Sequence, residues 1–419
     1  MEYGNYVGPY RSKKASVYFK GKRTQHVINT HTSTSRKPGE TLIVQIPRGF
    51  KDELIVPGSV MISFDMEVSP DTLYLVNNLA ASIISQYTVK IGTETIYDLN
   101  YAYLYNAYKD MWLSKDTRKN SIFKGIQSTS LRNRRTNLTS DVTLDVDDEV
   151  ARDIFKNRYI IPLDFDVISN HMPLSEHLQI IFELKINTKE YVLNYETEKH
   201  SSADFIMNNI CLEFETVKDE NLLREITRGL TGGVSYLFDH VHHYKKYELK
   251  KKDDLINVDI SGISRRSLKG VLLIFEDDFE HGQRNADRFV NPRIKKIELT
   301  IDGNSNALYN KGYKEENQWS EICRHFMPED SKQSDNTYID LKSYYGNDKF
   351  ALWIDLRSTQ DNQLHGTGKI QMSDKNDITL AIQKKREGND ENARYFMHAY
   401  IVSDARINIE NKELKSFDL

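Results

Sequence analysis

The densest run of side chains able to bind a metal or move a proton is Asp239-His240-Val241-His242-His243. On a strand, His240 and His242 fall on one face, the spacing of a two-histidine metal pair. A closed site needs further ligands. The sequence places none, and Lys245-Lys246 just beyond repels a cation. Asp145, Asp147, Asp148 and Glu149 offer oxygen ligands for Ca²⁺, but the glycine of a calcium loop is missing. Gly229-Leu230-Thr231-Gly232-Gly233 is glycine-rich, yet no Gly-Lys-Ser/Thr follows, so it does not read as a phosphate loop. No Gly-x-Ser-x-Gly elbow occurs. Cys211 lies inside an apolar strand and Cys323 on an apolar helix stripe, and both read as core. Acid–base chemistry would need carboxylates such as Asp164, Asp166, Glu276 or Asp355 to converge in a groove, and no spacing forces that. The expectation is no catalytic residue, no metal and no cofactor.

Charge is the stronger signal. From Met1 to Lys37, eight Lys/Arg stand against the single acid Glu2, among Ser, Thr, Gly and Tyr. Residues 1–37 read as a flexible basic arm, either solvated or touching a nucleic acid or a partner. Its candidate contact residues are Arg11, Lys13, Lys14, Lys20, Lys22 and Arg23. A second basic stretch, Lys115 to Arg135, reads as a long polar loop, and the acidic run at 145–149 follows it. Opposite charges on adjacent loops can steer a neighbouring subunit or simply keep the loops wet.

Composition bounds the class. The chain has 419 residues, a net charge of -4 and 11% aromatics, with 24 Tyr. It is too aromatic and too weakly charged to be disordered throughout. No apolar run is long enough for a membrane-spanning helix, and the polar start carries no secretory signal, so synthesis inside the cell is expected. Two cysteines cannot build a disulfide framework. Asn137-Leu138-Thr139 is then an accidental glycosylation triplet.

The elements that would position any site are mostly strands. Thr41 to Ile46 ends at Pro47, and Val60, Ile62, Phe64, Met66 and Val68 alternate with period two. Tyr87–Ile91, Thr95–Tyr97, Tyr159–Leu163, Leu178–Ile186 and Ile210–Phe214 follow as strands. Tyr101, Leu104, Tyr105, Tyr108, Met111 and Trp112 recur at three or four, which predicts a short amphipathic helix. Helices are few, and the alternation of a parallel α/β sheet is absent.

The order then repeats. In Arg293 to Gly303, Leu299 and Ile301 fall where Val89 and Ile91 fell, about 210 residues earlier, and Leu308-Tyr309 echoes Ile96-Tyr97. A helix follows again, Glu315 to Phe326, with Trp319, Ile322, Cys323 and Phe326 on one stripe. Strands at Phe350–Leu356, Ile378–Ile382 and Phe396–Val402 complete the second half. The pattern predicts two antiparallel eight-stranded sandwiches, joined near the polar stretch Val217 to Arg228.

Tyr159-Ile160-Ile161-Pro162-Leu163-Asp164-Phe165, then Met172-Pro173-Leu174, then Leu178 to Ile186, resembles the end of the first barrel in the double jelly-roll major capsid proteins of eukaryotic DNA viruses. In length, and in the stretch from Asp302-Gly303 to Leu308-Tyr309, the chain is most similar to the compact capsid proteins of Polintons (Mavericks), adintoviruses and virophages. The resemblance covers most of residues 40–410. It implies an all-β fold of two consecutive eight-stranded antiparallel jelly rolls, each with a short helical insertion, and domains at 38–218 and 229–419 with a linker at 219–228. It also implies a homotrimer forming a pseudo-hexagonal capsomer of an icosahedral shell, without catalysis or cofactor. Partners would be neighbouring capsomers, penton and minor capsid proteins, and the genome or an inner membrane through the basic arm. The place of work would be the virion. Two other readings remain: a two-domain β-sandwich enzyme or glycan-binding protein with a site between the halves, and a nucleic-acid-binding protein using the arm.

Overall fold

The computed structural model describes residues 22–29, 35–46, 53–56, 58–69, 74–126, 158–163, 179–194, 202–218, 220, 224, 227–228, 231–279, 284–306, 309, 313, 315–327, 337–346, 349–357, 370–372, 377–385, 394–411 and 413–419.

In the first half the main strands are β1 (Lys22–Asn29), β2 (Thr41–Ile46), β3 (Met61–Ser69), β4 (Ile84–Ile91), β5 (Glu94–Asn100), β6 (Arg158–Pro162), β7 (Ile180–Ile186) and β8 (Asp204–Lys218). They build a five-stranded sheet in the order β1-β8-β3-β6, with Leu54–Ile55 also on β8, and a four-stranded sheet in the order β2-β7-β4-β5. The second half carries β9 (Val234–Lys250), β10 (Leu255–Ser261), β11 (Arg265–Asp277), β12 (Ile294–Ile301), β13 (Asn304–Ser305), β14 (Ala351–Asp355), β15 (Asp377–Lys384) and β16 (Arg394–Glu410). Its six-stranded sheet runs β9-β16-β11-β14, and its four-stranded sheet runs β10-β15-β12-β13. Ile370–Met372 adds to β11, and β17 (Glu413–Asp418) adds to β16. Adding eight to each strand number of the first half gives the second. This is the jelly-roll order, built twice, and the pairings between these strands are antiparallel.

The alternation that announced the strands is the alternation of burial. β2 reads exposed-buried along its length, with Leu42, Val44 and Ile46 inside. On β3, Ile62, Phe64 and Met66 are inside. The repeat holds in register: Val89 and Ile91 face Phe182 and Ile180, while Leu299 and Ile301 face Leu380 and Ile378. A turn follows each pair, with Gly92 at φ 62° in one and Asp302-Gly303 at φ 50° and 73° in the other. The echo stops there. β13 ends at Ser305, and Tyr309 leaves the sheet to bond the helix that follows, whereas Ile96 and Tyr97 stay in β5.

Two further expectations are corrected. Lys22 and Arg23 do not belong to an arm: β1 pairs along its whole length with β8, Lys22 opposite Lys218 and Asn29 opposite Cys211. The first barrel therefore begins well before residue 38. Its opening strand is a polar edge, and Val27 is 58% exposed, so no periodicity betrayed it. Nor is all of Lys115–Arg135 a loop. Lys115–Asn120 is a helix whose start is capped by the Ser114 hydroxyl, accepting from the Thr117 amide at 3.1 Å.

Helices in the long connections include α1 (Leu79–Ser82), α2 (Ala102–Asp110), α3 (Lys115–Asn120), α4 (Glu315–Phe326) and α5 (Leu341–Gly346), and a single turn at Lys189–Val192 precedes β8. One continuous cluster of buried residues runs through both sandwiches and helices α1, α2, α4 and α5. No helix among the described residues is long and apolar enough to cross a membrane.

Candidate functional site

The seam between the halves is where the chain concentrates its buried chemistry. Helix α2 follows β5 in the first barrel, and its aromatic stripe turns toward the second. Tyr108 packs edge-on against Phe289 (centroids 5.0 Å apart) and Phe326 (5.4 Å), and Trp112 lies 5.9 Å from Trp319. Tyr101 packs against both His243 (4.5 Å) and His398 (4.8 Å).

Polar groups cross the same seam. Arg284 is 4% exposed, and it donates to the Ser82 hydroxyl at 3.1 Å and to the Tyr191 carbonyl at 3.0 Å. Its guanidinium lies over the Tyr103 ring, 4.8 Å from the centroid, and 3.8 Å from Glu276. The Tyr103 hydroxyl donates to Glu276 at 3.2 Å. Asp287 accepts from Asn77 and faces Arg118 at 3.8 Å. Apart from the Arg284–Glu276 pair, which lies within the second barrel, each of these links joins one barrel to the other.

Electrostatics keep this network fixed. Burial pushes the Glu276 carboxyl up, but His398, Arg284 and Lys246 outweigh it and hold it below the ordinary carboxylate range. Burial drives His398 down, only partly offset by Glu276, which favours the neutral imidazole. His398 Nε2 is 3.5 Å from Glu276, and its Nδ1 is 3.2 Å from His243 Nε2. The tautomers of the two rings set which of His398 Nδ1 and His243 Nε2 donates.

The sequence candidates are placed as follows. His240 and His242 do not form a metal pair. His240 packs against Tyr97, and burial with the nearby Arg265 lowers it to about 3. His242 is lowered by burial and by the same arginine. Among the described residues, no group of three His, Cys, Asp or Glu is arranged to hold a metal ion. Glu276 is enclosed in the seam. Asp355 is held by the Arg357 guanidinium at 2.9 and 2.6 Å. A cavity of about 40 Å³ adjoins Glu276 and Arg284, room for water and not for a sugar or a peptide. Cys211 is buried, and burial pushes the Cys323 thiol up to about 12. Arg11, Lys13, Lys14, Lys20, Asp164, Asp166, the acidic run 145–149 and Asn137 lie outside the described residues, as do Gly229 and Leu230 of the glycine-rich stretch.

Sequence reading missed the seam's polar half. Arg284, Asp287, Asn77 and Ser82 sit in connections without periodicity, and nothing local marks them as buried. It also missed a buried carboxyl on α4: Glu321 accepts from Tyr309 at 3.0 Å and Tyr313 at 2.7 Å, and burial raises it to about 7.

No family model matches the chain, and no curated protein matches it in sequence. Solved structures do. A structure of the Sputnik virophage is similar over 96% of this chain and 89% of its own, at 10% identity and a TM-score of 0.61. PBCV-1 VP54, fitted into a reconstruction of the virophage Sputnik, matches 95% of this chain and 98% of its own, at 12% identity and a TM-score of 0.57. The mavirus major capsid protein matches 94% and 90%, at 10% identity and 0.54. At such identities what is shared is the fold, and it extends over both barrels.

Proposed function

We propose that this chain is a major capsid protein, the repeating shell subunit of a DNA virus or virus-like element. The observation that carries the reading is the doubled strand order, β1-β8-β3-β6 with β2-β7-β4-β5 and then the same again, locked by a buried seam. Two like barrels fixed side by side form a two-lobed block. Three such blocks around an axis present six similar lobes, a shape that tiles a hexagonal lattice. The similar structures over both barrels include a protein named as a major capsid protein, which supports the same role here.

In this role the chain does no chemistry. Among the described residues, Glu276 is enclosed beside a water-sized space and Asp355 is ion-paired with Arg357. Its partners are two further copies in a trimer, then neighbouring capsomers, penton and minor capsid proteins. The basic residues Arg11, Lys13, Lys14 and Lys20 face the genome or an inner membrane, and the site of action is the virion. Size-exclusion chromatography with light scattering is expected to give a trimer or larger species. Electron microscopy is expected to show six-lobed capsomers or particles. A monomer that persists at high concentration would sink the reading.

A further inference from the structure

Away from the seam, an open cavity of about 320 Å³ lies where β12 begins and β15 has just ended. That volume is in the range of small-ligand sites. Arg293, Lys295 and Lys385 line it together with Gln318, Asn291 and Tyr345, and no carboxylate is among its described lining residues. Three cations in one concavity repel each other, an arrangement that an anion relieves.

The backbone holds them there. The Arg293 carbonyl accepts from the Lys385 amide at 2.9 Å, fixing the end of β15 to the start of β12. The Arg293 backbone amide donates to Asn291 Oδ1 at 2.8 Å, and the Asn291 side-chain Nδ2 donates to the Tyr345 carbonyl at 3.0 Å.

The second observation is independent of charge. Gln318, in the first turn of α4, is 1% exposed, and its Nε2 has no hydrogen-bond partner. A buried amide donor left unpaired is costly, and because Gln318 lines the cavity, a small turn of its side chain brings the donor to an acceptor there. It also stands at the positive end of the α4 dipole.

We infer that this cavity binds a small, multiply charged oxyanion of the phosphate class, with Arg293, Lys295 and Lys385 supplying charge and Gln318 a neutral donor. The site lies apart from the seam, and its test needs no assembly.

The test is calorimetric titration of the full chain with inorganic pyrophosphate at constant ionic strength, paired with thermal melting. Saturable binding at one site per chain and a raised melting temperature are expected. Lys295→Glu with Lys385→Glu should weaken binding at least tenfold. Gln318→Met, which removes the donor and keeps the volume, should weaken it several-fold. Lys109→Glu, an exposed charge change on α2, should leave it unchanged. Absence of saturable binding, equal affinity in the cavity variants, or equal loss in Lys109→Glu overturns the inference. Displacement of pyrophosphate by a stoichiometric DNA oligonucleotide would overturn the small-anion assignment.

Discussion

The hydroxyl of Tyr400, on strand β16 of the second barrel, donates to the carbonyl of Tyr101 in the first at 2.9 Å. Tyr101 is the left-handed residue (φ 51°) that starts α2. One hydrogen bond thus fixes the point where the first barrel's helix leaves its sheet and docks on the other barrel. Both residues also ring the His243–His398 pair.

Tyr400→Phe removes only that donor. The expected cost is about 1–2 kcal/mol, read as a lower urea midpoint with an unchanged slope. Because one buried cluster spans both barrels, unfolding should remain a single transition in the variant and the parent.

Arg284→Met strips the counter-charge from Glu276 and the donors from Ser82 and Tyr191. Breaking a buried pair by deleting one partner costs about 3–5 kcal/mol. Glu276→Gln added to Arg284→Met should recover part of the loss, because the remaining group is then neutral. A full double-mutant cycle by urea denaturation checks the coupling.

Stability should respond to pH with two opposite slopes. Glu321 is raised to about 7 from an ordinary value of 4.5, so the folded state holds a proton that the unfolded state gives up. Its contribution is complete below about pH 4.5 and is lost as pH rises through 7. Glu321→Gln should flatten this loss and raise the melting temperature at pH 8.

His240, His243 and His325 are each lowered to about 3 from 6.5, chiefly by burial. Their contribution is complete above pH 6.5 and drains away as pH falls toward 3. His325 stacks on Trp353 at 3.7 Å, so His325→Phe keeps the stack and should reduce the acid sensitivity in melting curves between pH 4 and 7.

Gly270 on β11 admits no side chain. A Cβ there would stand 2.6 Å from the Ile354 carbonyl oxygen and collide with the Trp353 indole. Gly270→Ala is expected to destabilise by about 1–3 kcal/mol or more, measured by thermal melting, because Trp353 is fully enclosed and cannot retreat.

Truncation separates the basic arm from the barrel. Removing residues 1–29 deletes β1 and exposes the edge of β8, so the urea midpoint should fall sharply. Removing residues 1–20 leaves that ladder whole and should spare the midpoint. If the arm faces a genome, the shorter truncation also loses a salt-sensitive affinity for DNA.

Much of the fold was legible in the residues themselves. The alternation of Ile62, Phe64 and Met66, the stripe of α2 and the shared turn after Ile91 and Ile301 are local patterns, because a strand or helix half-buried in a core must repeat with its own period. β1 escaped, since an edge strand with polar side chains is held by the backbone ladder of its neighbour and leaves no periodic trace. The surroundings of His240 and His242 were illegible for a related reason: spacing gave a shared face but not the neighbours on it. Arg265 beside His240, and His398 opposite His243, arrive from strands far along the chain.

By itself the sequence determined the all-β class, the duplication and the helices in matching connections, because those follow from nearest neighbours along the chain. Only the tertiary structure decided that α2 belongs as much to the second barrel as to the first. It alone enclosed Glu276 with Arg284 and His398, and left Gln318 facing a basic hollow. Burial and pairing between distant residues depend on which surfaces meet, and that is a property of the packed barrels, not of any one segment.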